Sequence, residues 1–137
     1  MQDPRADEQI DALVARFFSA FDNRAGMPSV ADVVDCFADK AVIARHDSSG
    51  TQLYTPSEFA APRIDLLAGG SLVDFSETEA ESATQVVGGI ATRTSRYVKS
   101  GVLDGGPYAG AGTKLFHLVR LDCGWRISSL AWIDDPA

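Results

Sequence analysis

The sequence predicts an α+β fold in which three helices pack on one long, curved sheet whose strands are mixed but mostly antiparallel. Three observations lead there. Apolar residues recur at steps of three and four up to about Phe37, a helix-start signature stands at Thr55–Glu58, and from Leu72 onward long extended runs alternate with turn residues. With 137 residues, 45% of them apolar, the chain can bury one sizeable core without a disulfide or a metal, so a single domain over residues 1–137 is expected.

Ile10, Leu13, Val14, Phe17, Phe18 and Phe21 fall on one stripe of a helix from about Asp7 to Arg24, which Gly26 and Pro28 stop. Ser29 caps a second helix, whose Val30, Val33, Val34 and Phe37 repeat the spacing and whose Asp32 suits the positive end of the helix dipole. Ala41 to His46, the turn Asp47-Ser48-Ser49-Gly50 and Thr51 to Tyr54 read as a short hairpin. In Thr55-Pro56-Ser57-Glu58, a Thr followed three residues later by Glu forms a capping box, with Pro where no amide partner is needed. This third helix should run to about Ala68, kink at Pro62 and end on a left-handed Gly69-Gly70.

Strands follow at about Leu72 to Val87, Ile90 to Lys99, Gly112 to Leu121 and Trp125 to Asp134. Gly88-Gly89 and Asp122-Cys123-Gly124 read as hairpin turns, and the glycine-rich stretch 101–112 as a flexible crossing. If Val87 opposes Ile90, Glu81 lies across from Arg96 and Thr84 across from Arg93. Glu77, Glu79, Glu81, Thr92, Thr94 and Arg96 then share a solvated face. Ala80, Ser82, Thr84, Val86, Ala91, Arg93, Ser95 and Tyr97 share the other, which suits a pocket wall because a buried Arg needs a partner.

Opposing Leu121 to Trp125 sets Lys114 across from Trp132 and Phe116 across from Leu130. Lys114, Phe116, Leu118, Leu130, Trp132 and Asp134 take one face; Leu115, His117, Val119, Leu121, Trp125, Ile127, Ala131 and Ile133 take the other. Both faces are apolar enough to want cover, so helices on one side and a second copy of the chain on the outer sheet face are expected, giving a homodimer.

Twelve Lys and Arg against 19 Asp and Glu leave a formal charge of −7, which argues against a duplex nucleic-acid partner or an anionic membrane surface. No run approaches the roughly 18 apolar residues of a membrane span, and MQDPRADEQI lacks the basic head and apolar stretch of a leader, so a cytoplasmic protein is expected. Cys36 and Cys123 have no ligand spacing and read as buried free thiols. With no G-x-G-x-x-G, P-loop or G-x-S-x-G, neither a metal nor a nucleotide cofactor is expected.

The order helix, helix, hairpin, helix, four strands, with RFFSAFD, DCFADKAVI and GWRISSLAW, is similar to the nuclear transport factor 2-like (SnoaL-like) superfamily of cone-shaped α+β domains over nearly the whole chain. Tyr54, Phe59, Arg63, Gly89-Ile90-Ala91 and Ser95-Arg96-Tyr97 resemble positions of uncharacterised bacterial members. The resemblance implies a pocket inside a cone, used either for binding or for isomerising, dehydrating or cyclising small apolar molecules. Ketosteroid isomerase chemistry is not implied: Arg45 stands where its base would be, and Phe17 and Phe116 stand near its two enolate donors. Limonene-epoxide hydrolase fits through Arg93 and Asp134 but has Ser95 where its second carboxylate belongs. A dehydratase would use His46, since His117 points away from the mixed face.

The candidate pocket residues are therefore Tyr54, Arg63, Arg93, Ser95, Tyr97, Lys114, Phe116, Trp132 and Asp134. Between Arg93 and Arg126 stand six cations with only Asp104 and Asp122 as anions, so a ligand bearing an anionic group is expected. With no coherent acid, base and oxyanion set, the first reading is a small-molecule-binding module. The alternatives are a lyase, isomerase or hydrolase of a small, partly apolar substrate, and a dimerisation module with a vestigial pocket.

Overall fold

The computed structural model describes residues 4–136; Met1–Asp3 and Ala137, the ends of the expected domain, lie outside them. Along the chain run α1 (Pro4–Ser19), α2 (Val30–Val34), β1 (Phe37–Asp47), β2 (Gly50–Tyr54), α3 (Pro56–Ala68), β3 (Leu72–Val87), β4 (Ile90–Leu103), β5 (Gly106–Leu121) and β6 (Gly124–Asp134). One sheet holds all six strands in the order β2-β1-β6-β5-β4-β3, antiparallel except for the parallel β1–β6 pair. The helices lie on its concave face, α1 over β3 and β6, α3 over β1, β2 and β3. None of the described helices is long and apolar enough to cross a membrane.

The apolar stripe of α1 supplies the centre of the core. The fully buried Phe17 ring meets Phe18, Phe21, Phe37 and Phe116 edge-on at 5.3–5.9 Å and stacks on Phe59 at 6.4 Å. Each such pair adds about 0.5–1.5 kcal/mol beyond simple burial. The first helix stops at Ser19 rather than near Arg24, because Asn23 is claimed by the sheet. Its backbone amide donates to Phe75 O, its side-chain amide donates to Leu67 O and Leu72 O at 3.1 and 2.7 Å, and its side-chain oxygen accepts from Phe75 N at 2.8 Å. Asn23 thus ties the exit of α1 to the end of α3 and the start of β3. The second helix is a single turn capped by Ser29, and Phe37 begins β1 instead of continuing it.

At α3 the capping box forms as expected: Thr55 Oγ1 accepts from Glu58 N at 3.2 Å and Glu58 Oε1 accepts from Thr55 N at 2.8 Å. Gly70, not Gly69, takes the left-handed conformation that ends it. The stretch 101–112 is no flexible crossing. Asp104 and Gly105, both at positive φ, make a two-residue hairpin turn, and β4 and β5 pair continuously up to it. A Cβ on Gly112 would lie 2.5 Å from the Tyr97 ring carbon Cζ, and one on Gly110 would lie 2.9 Å from Lys99 Cε. These glycines clear space for the Tyr97 and Lys99 side chains.

Among the described residues four register shifts interrupt the sheet, and two of them overturn the expected strand faces. In β3–β4 the register Val87↔Ile90 persists to Glu81↔Arg96, then Ala80 is left over and Glu79 pairs with Tyr97. Since one extra residue reverses which side chains point inward, Glu77 and Glu79 turn to the concave face, contrary to their expected solvated position. In β5–β6 the turn is Asp122-Cys123 alone, and Ser128 is the extra residue. Lys114↔Trp132 and Phe116↔Leu130 therefore pair as expected, while Trp125 and Ile127 move to the buried face. The same short turn leaves Cys123 exposed, whereas Cys36 is buried.

The Asn23 junction yields a stability prediction. Asn23→Ala strands Phe75 N and two carbonyls, so urea unfolding should show a loss of about 2 kcal/mol; a change below about 0.5 kcal/mol would mean packing alone holds the junction.

Candidate functional site

Between α3 and the concave face lies a cavity of about 410 Å³. Its apolar wall comes from Phe21, Phe59, Leu66, Leu67, Leu72 and Phe75; its polar groups are Arg45, Tyr54, Arg63, Glu77, Lys99, Tyr108, Lys114 and Asp134, with Trp132 between the two sets. A larger groove of about 670 Å³ runs along Phe37–Val42 and Leu53–Glu58, but it is more open, Asp39 and Lys40 there are exposed, and Glu58 is engaged in the α3 cap. The convergent polar groups single out the smaller cavity.

Local structure places each of these groups. The cap of α3 fixes its rotation, so that Phe59 and Arg63, one turn apart, both face inward, and Arg63 donates to Phe59 O at 2.8 Å. The Arg63 guanidinium lies 4.4 Å from the Phe59 ring centre, 5.0 Å from Trp132 and 5.7 Å from Tyr54. Burial pushes its pKa down from the ordinary value, and among the described residues it makes no ion pair with a carboxylate.

Lys114 is almost fully buried. Its ammonium sits 3.8 Å above the Tyr97 ring and 3.4 Å from Glu77, which the Ala80 bulge delivers from β3. Burial drives the Lys114 pKa down and nearby Lys99 adds to this, against the opposing pull of Glu77. Beside this pair, Asp134 accepts from the Tyr97 hydroxyl and, at 3.2 Å, from Lys99, while Arg45 approaches its other oxygen at 3.8 Å. Burial alone would raise the Asp134 carboxyl, but the Tyr97 hydroxyl and Lys99 outweigh it and hold the group below the usual carboxylate range. Burial first, then donation to Asp134, push the Tyr97 hydroxyl up, so it stays a proton donor.

Of the residues expected in the pocket, Tyr54, Arg63, Lys114, Trp132 and Asp134 line the cavity. Tyr97 lies beneath it, holding Asp134 and Lys114, and Phe116 is core, edge-on to Phe17 and Phe18. Arg93 and Ser95 are buried outside it. Arg93 donates to both oxygens of Glu79, to Asp11 of α1 and to Thr84; Ser95 donates to Glu79. Burial opposes the Arg93 charge, but the Glu79 and Asp11 contacts outweigh it and raise its pKa. The carboxylate missing at Ser95 thus arrives from β3, in a network closed on α1. His46 and His117 are exposed, bonded to Thr51 and Ser129, and do not reach the cavity. No group of three or more His, Cys, Asp or Glu among the described residues is placed to hold a metal.

Of the polar groups lining the cavity, sequence reasoning missed Arg45, Glu77, Lys99 and Tyr108. The bulge hid Glu77, and taking 101–112 for a loop hid Tyr108; the Asp104-Gly105 pair was the available signal for a hairpin there.

No protein-family model matches the sequence, and no curated protein matches it. Solved structures match over nearly its full length. One is a protein of Novosphingobium aromaticivorans provisionally named an aromatic ring hydroxylase, with TM-score 0.78, 17% identity, and 100% of this chain and 94% of that one covered. A nuclear transport factor 2-like superfamily protein of Salmonella enterica gives TM-score 0.78 and 14% identity over 97% of this chain and 93% of that one. The hexachlorocyclohexane dehydrochlorinase LinA-type3 of Novosphingobium barchaimii gives 0.72 and 17% over 96% and 88%. At these identities the likeness establishes the fold alone.

The Arg93 network makes a separable prediction. Arg93→Ala leaves Glu79 without its partner, so stability should fall by about 3 kcal/mol, the low end for a broken buried pair because Asp11 is largely exposed. Unchanged stability by urea titration would mean that the network does not hold α1 to the sheet.

Proposed function

We propose that this chain, which has the nuclear transport factor 2-like (cystatin-like) fold, binds a small, partly apolar molecule in the cavity through an anionic group held by Arg63. The carrying observation is that the Arg63 guanidinium faces the cavity among three aromatic rings and, among the described residues, has no carboxylate paired to it. Aromatic faces shield its plane from water, and the N–H groups not engaged by Phe59 O or Tyr54 are left to be met by a carboxylate or similar anion. Four cations, Arg45, Arg63, Lys99 and Lys114, against the carboxylates Glu77 and Asp134 give a positive lining inside an acidic protein.

Catalysis on such a molecule is the second reading. What favours it is the buried Lys114–Glu77 pair at the cavity wall, together with neighbours of the same fold named as a dehydrochlorinase and, provisionally, a hydroxylase. The positions matching the isomerase base and donors remain Arg45, Phe17 and Phe116, so that chemistry is not part of the proposal. A cytoplasmic setting, in which an exposed thiol such as Cys123 would stay reduced, is part of this reading.

The convex face supports a homodimer. Val42 of β1, Ile133 of β6, Leu115 of β5 and Val98 of β4 are each about half exposed on neighbouring strands, a patch that a second copy would cover. A vestigial pocket on a dimerisation module is the reading left if nothing binds.

Two measurements test this. In calorimetry, phenylacetate should bind the wild type, and Arg63→Gln should weaken it about 10- to 100-fold, the loss of one charge-assisted contact; equal binding of the uncharged phenylacetamide would overturn the anion assignment. In light scattering the protein should be a dimer across a tenfold concentration series and Leu115→Glu a monomer; a wild-type monomer throughout would overturn the dimer.

A further inference from the structure

We infer that Lys114 is a reactive amine that captures a small aldehyde or ketone in the cavity as a protonated Schiff base. This goes beyond anion binding and needs only that the cavity admit a ligand; it does not depend on Arg63.

The chain has three lysines, and they stand in different surroundings. Lys40 is exposed in a left-handed backbone conformation, and Lys99 is bonded to Asp134. Lys99 lines the cavity too, with its nitrogen 5.6 Å from the Tyr108 ring, but Lys114 is the more deeply buried of the two and the closer to a ring: its nitrogen lies 3.8 Å from Tyr97, with Trp132 at 5.6 Å and Phe18 at 5.8 Å. The charged and titratable groups around it are Glu77 from β3, Tyr97 and Lys99 from β4, and Asp134 from β6. Glu77 is the near one, at 3.4 Å and itself almost buried. That separation exceeds the roughly 2.7–2.9 Å of a strong charge-assisted bond. A buried lysine and glutamate stabilise a fold less than apolar residues of the same size would, so a loose pair opening on a cavity suits chemistry better than packing. Burial, which disfavours the ammonium, works in the same direction.

The step balances without any further reagent. Glu77 takes a proton from the Lys114 ammonium, and the freed lone pair forms a C–N bond to the carbonyl carbon as the C=O π pair moves to oxygen. A proton shifts from nitrogen to that oxygen, giving a neutral carbinolamine. The nitrogen lone pair then forms C=N while the C–O bond breaks; protonated Glu77 gives its proton to the leaving hydroxyl, and water departs. Ammonium and carbonyl have become iminium and water, and Glu77 is a carboxylate again.

The test treats the folded wild type with benzaldehyde, and separately with phenylpyruvate, in the presence of cyanoborohydride, which reduces an iminium to a stable secondary amine; peptide mapping locates the adduct. Labelling at Lys114 should exceed that at Lys40 by about tenfold or more, and the ratio should fall to near one in urea, where the lysines become equivalent. Labelling no greater at Lys114 than at Lys40 with both probes would overturn the inference, even if phenylacetate still binds through Arg63. If benzaldehyde labels Lys114 while phenylpyruvate reacts equally well with the wild type and Arg63→Gln, the amine stands and the anion assignment fails. Lys114→Met should abolish the cavity adduct, and because it isolates Glu77, the double variant Lys114→Met with Glu77→Gln is measured beside it.

Discussion

A charge taken out of water must be met inside the protein, and β3 meets two of them at once. Arg93 on β4 and Lys114 on β5 both point into the concave face, where each is about 95% buried. An unpartnered cation there would cost several kcal/mol. One extra residue at Ala80 turns Glu77 and Glu79 inward and brings one carboxylate to each cation. Without that bulge the glutamates would point to solvent, and Arg93 and Lys114 would each lose the β3 carboxylate that meets them.

The two pairs then diverge in purpose. Around Arg93 the geometry is closed: Glu79 takes it with both oxygens, Asp11 reaches across from α1, and Ser95 and Thr84 complete the hydrogen bonds. Such a network fastens a helix to a sheet and leaves no edge for a ligand. Around Lys114 it is open, with one carboxylate at 3.4 Å and an aromatic face below. The same kind of interaction is thus structural at one end of the bulge and exposed to a cavity at the other.

Preorganisation comes from the elements around the cavity rather than from the cavity itself. The α3 cap sets the rotation that turns Arg63 inward, Asn23 locks the junction where α1, α3 and β3 meet, and Gly110 and Gly112 let Lys99 and Tyr97 lie close over β5. Tyr97, held as a donor to Asp134, also floors Lys114. An arriving ligand would find its polar partners already oriented, which lowers the ordering cost of binding.

How far the sequence could be read follows from how local each signal is. The third helix was legible at its start because Thr55, Pro56 and Glu58 act within one turn and at its end because Gly69-Gly70 follow it, and β3 was legible from Leu72 to Val87 because glycines bound it. The Lys114↔Trp132 pairing was legible only because two departures cancel, a turn one residue shorter and an extra Ser128. Glu77 and Tyr108 were not legible in the same way, and Arg93 was read as buried but lies outside the cavity it was expected to line. By itself the sequence determined the elements, the caps, the aromatic core stripe and strand faces within reach of a turn, since these depend on neighbours along the chain. Only the tertiary structure decided which carboxylates face inward and which cation meets the cavity. Strand parity holds only as far as the next bulge, and the one at Ala80 answers to cations buried on other strands.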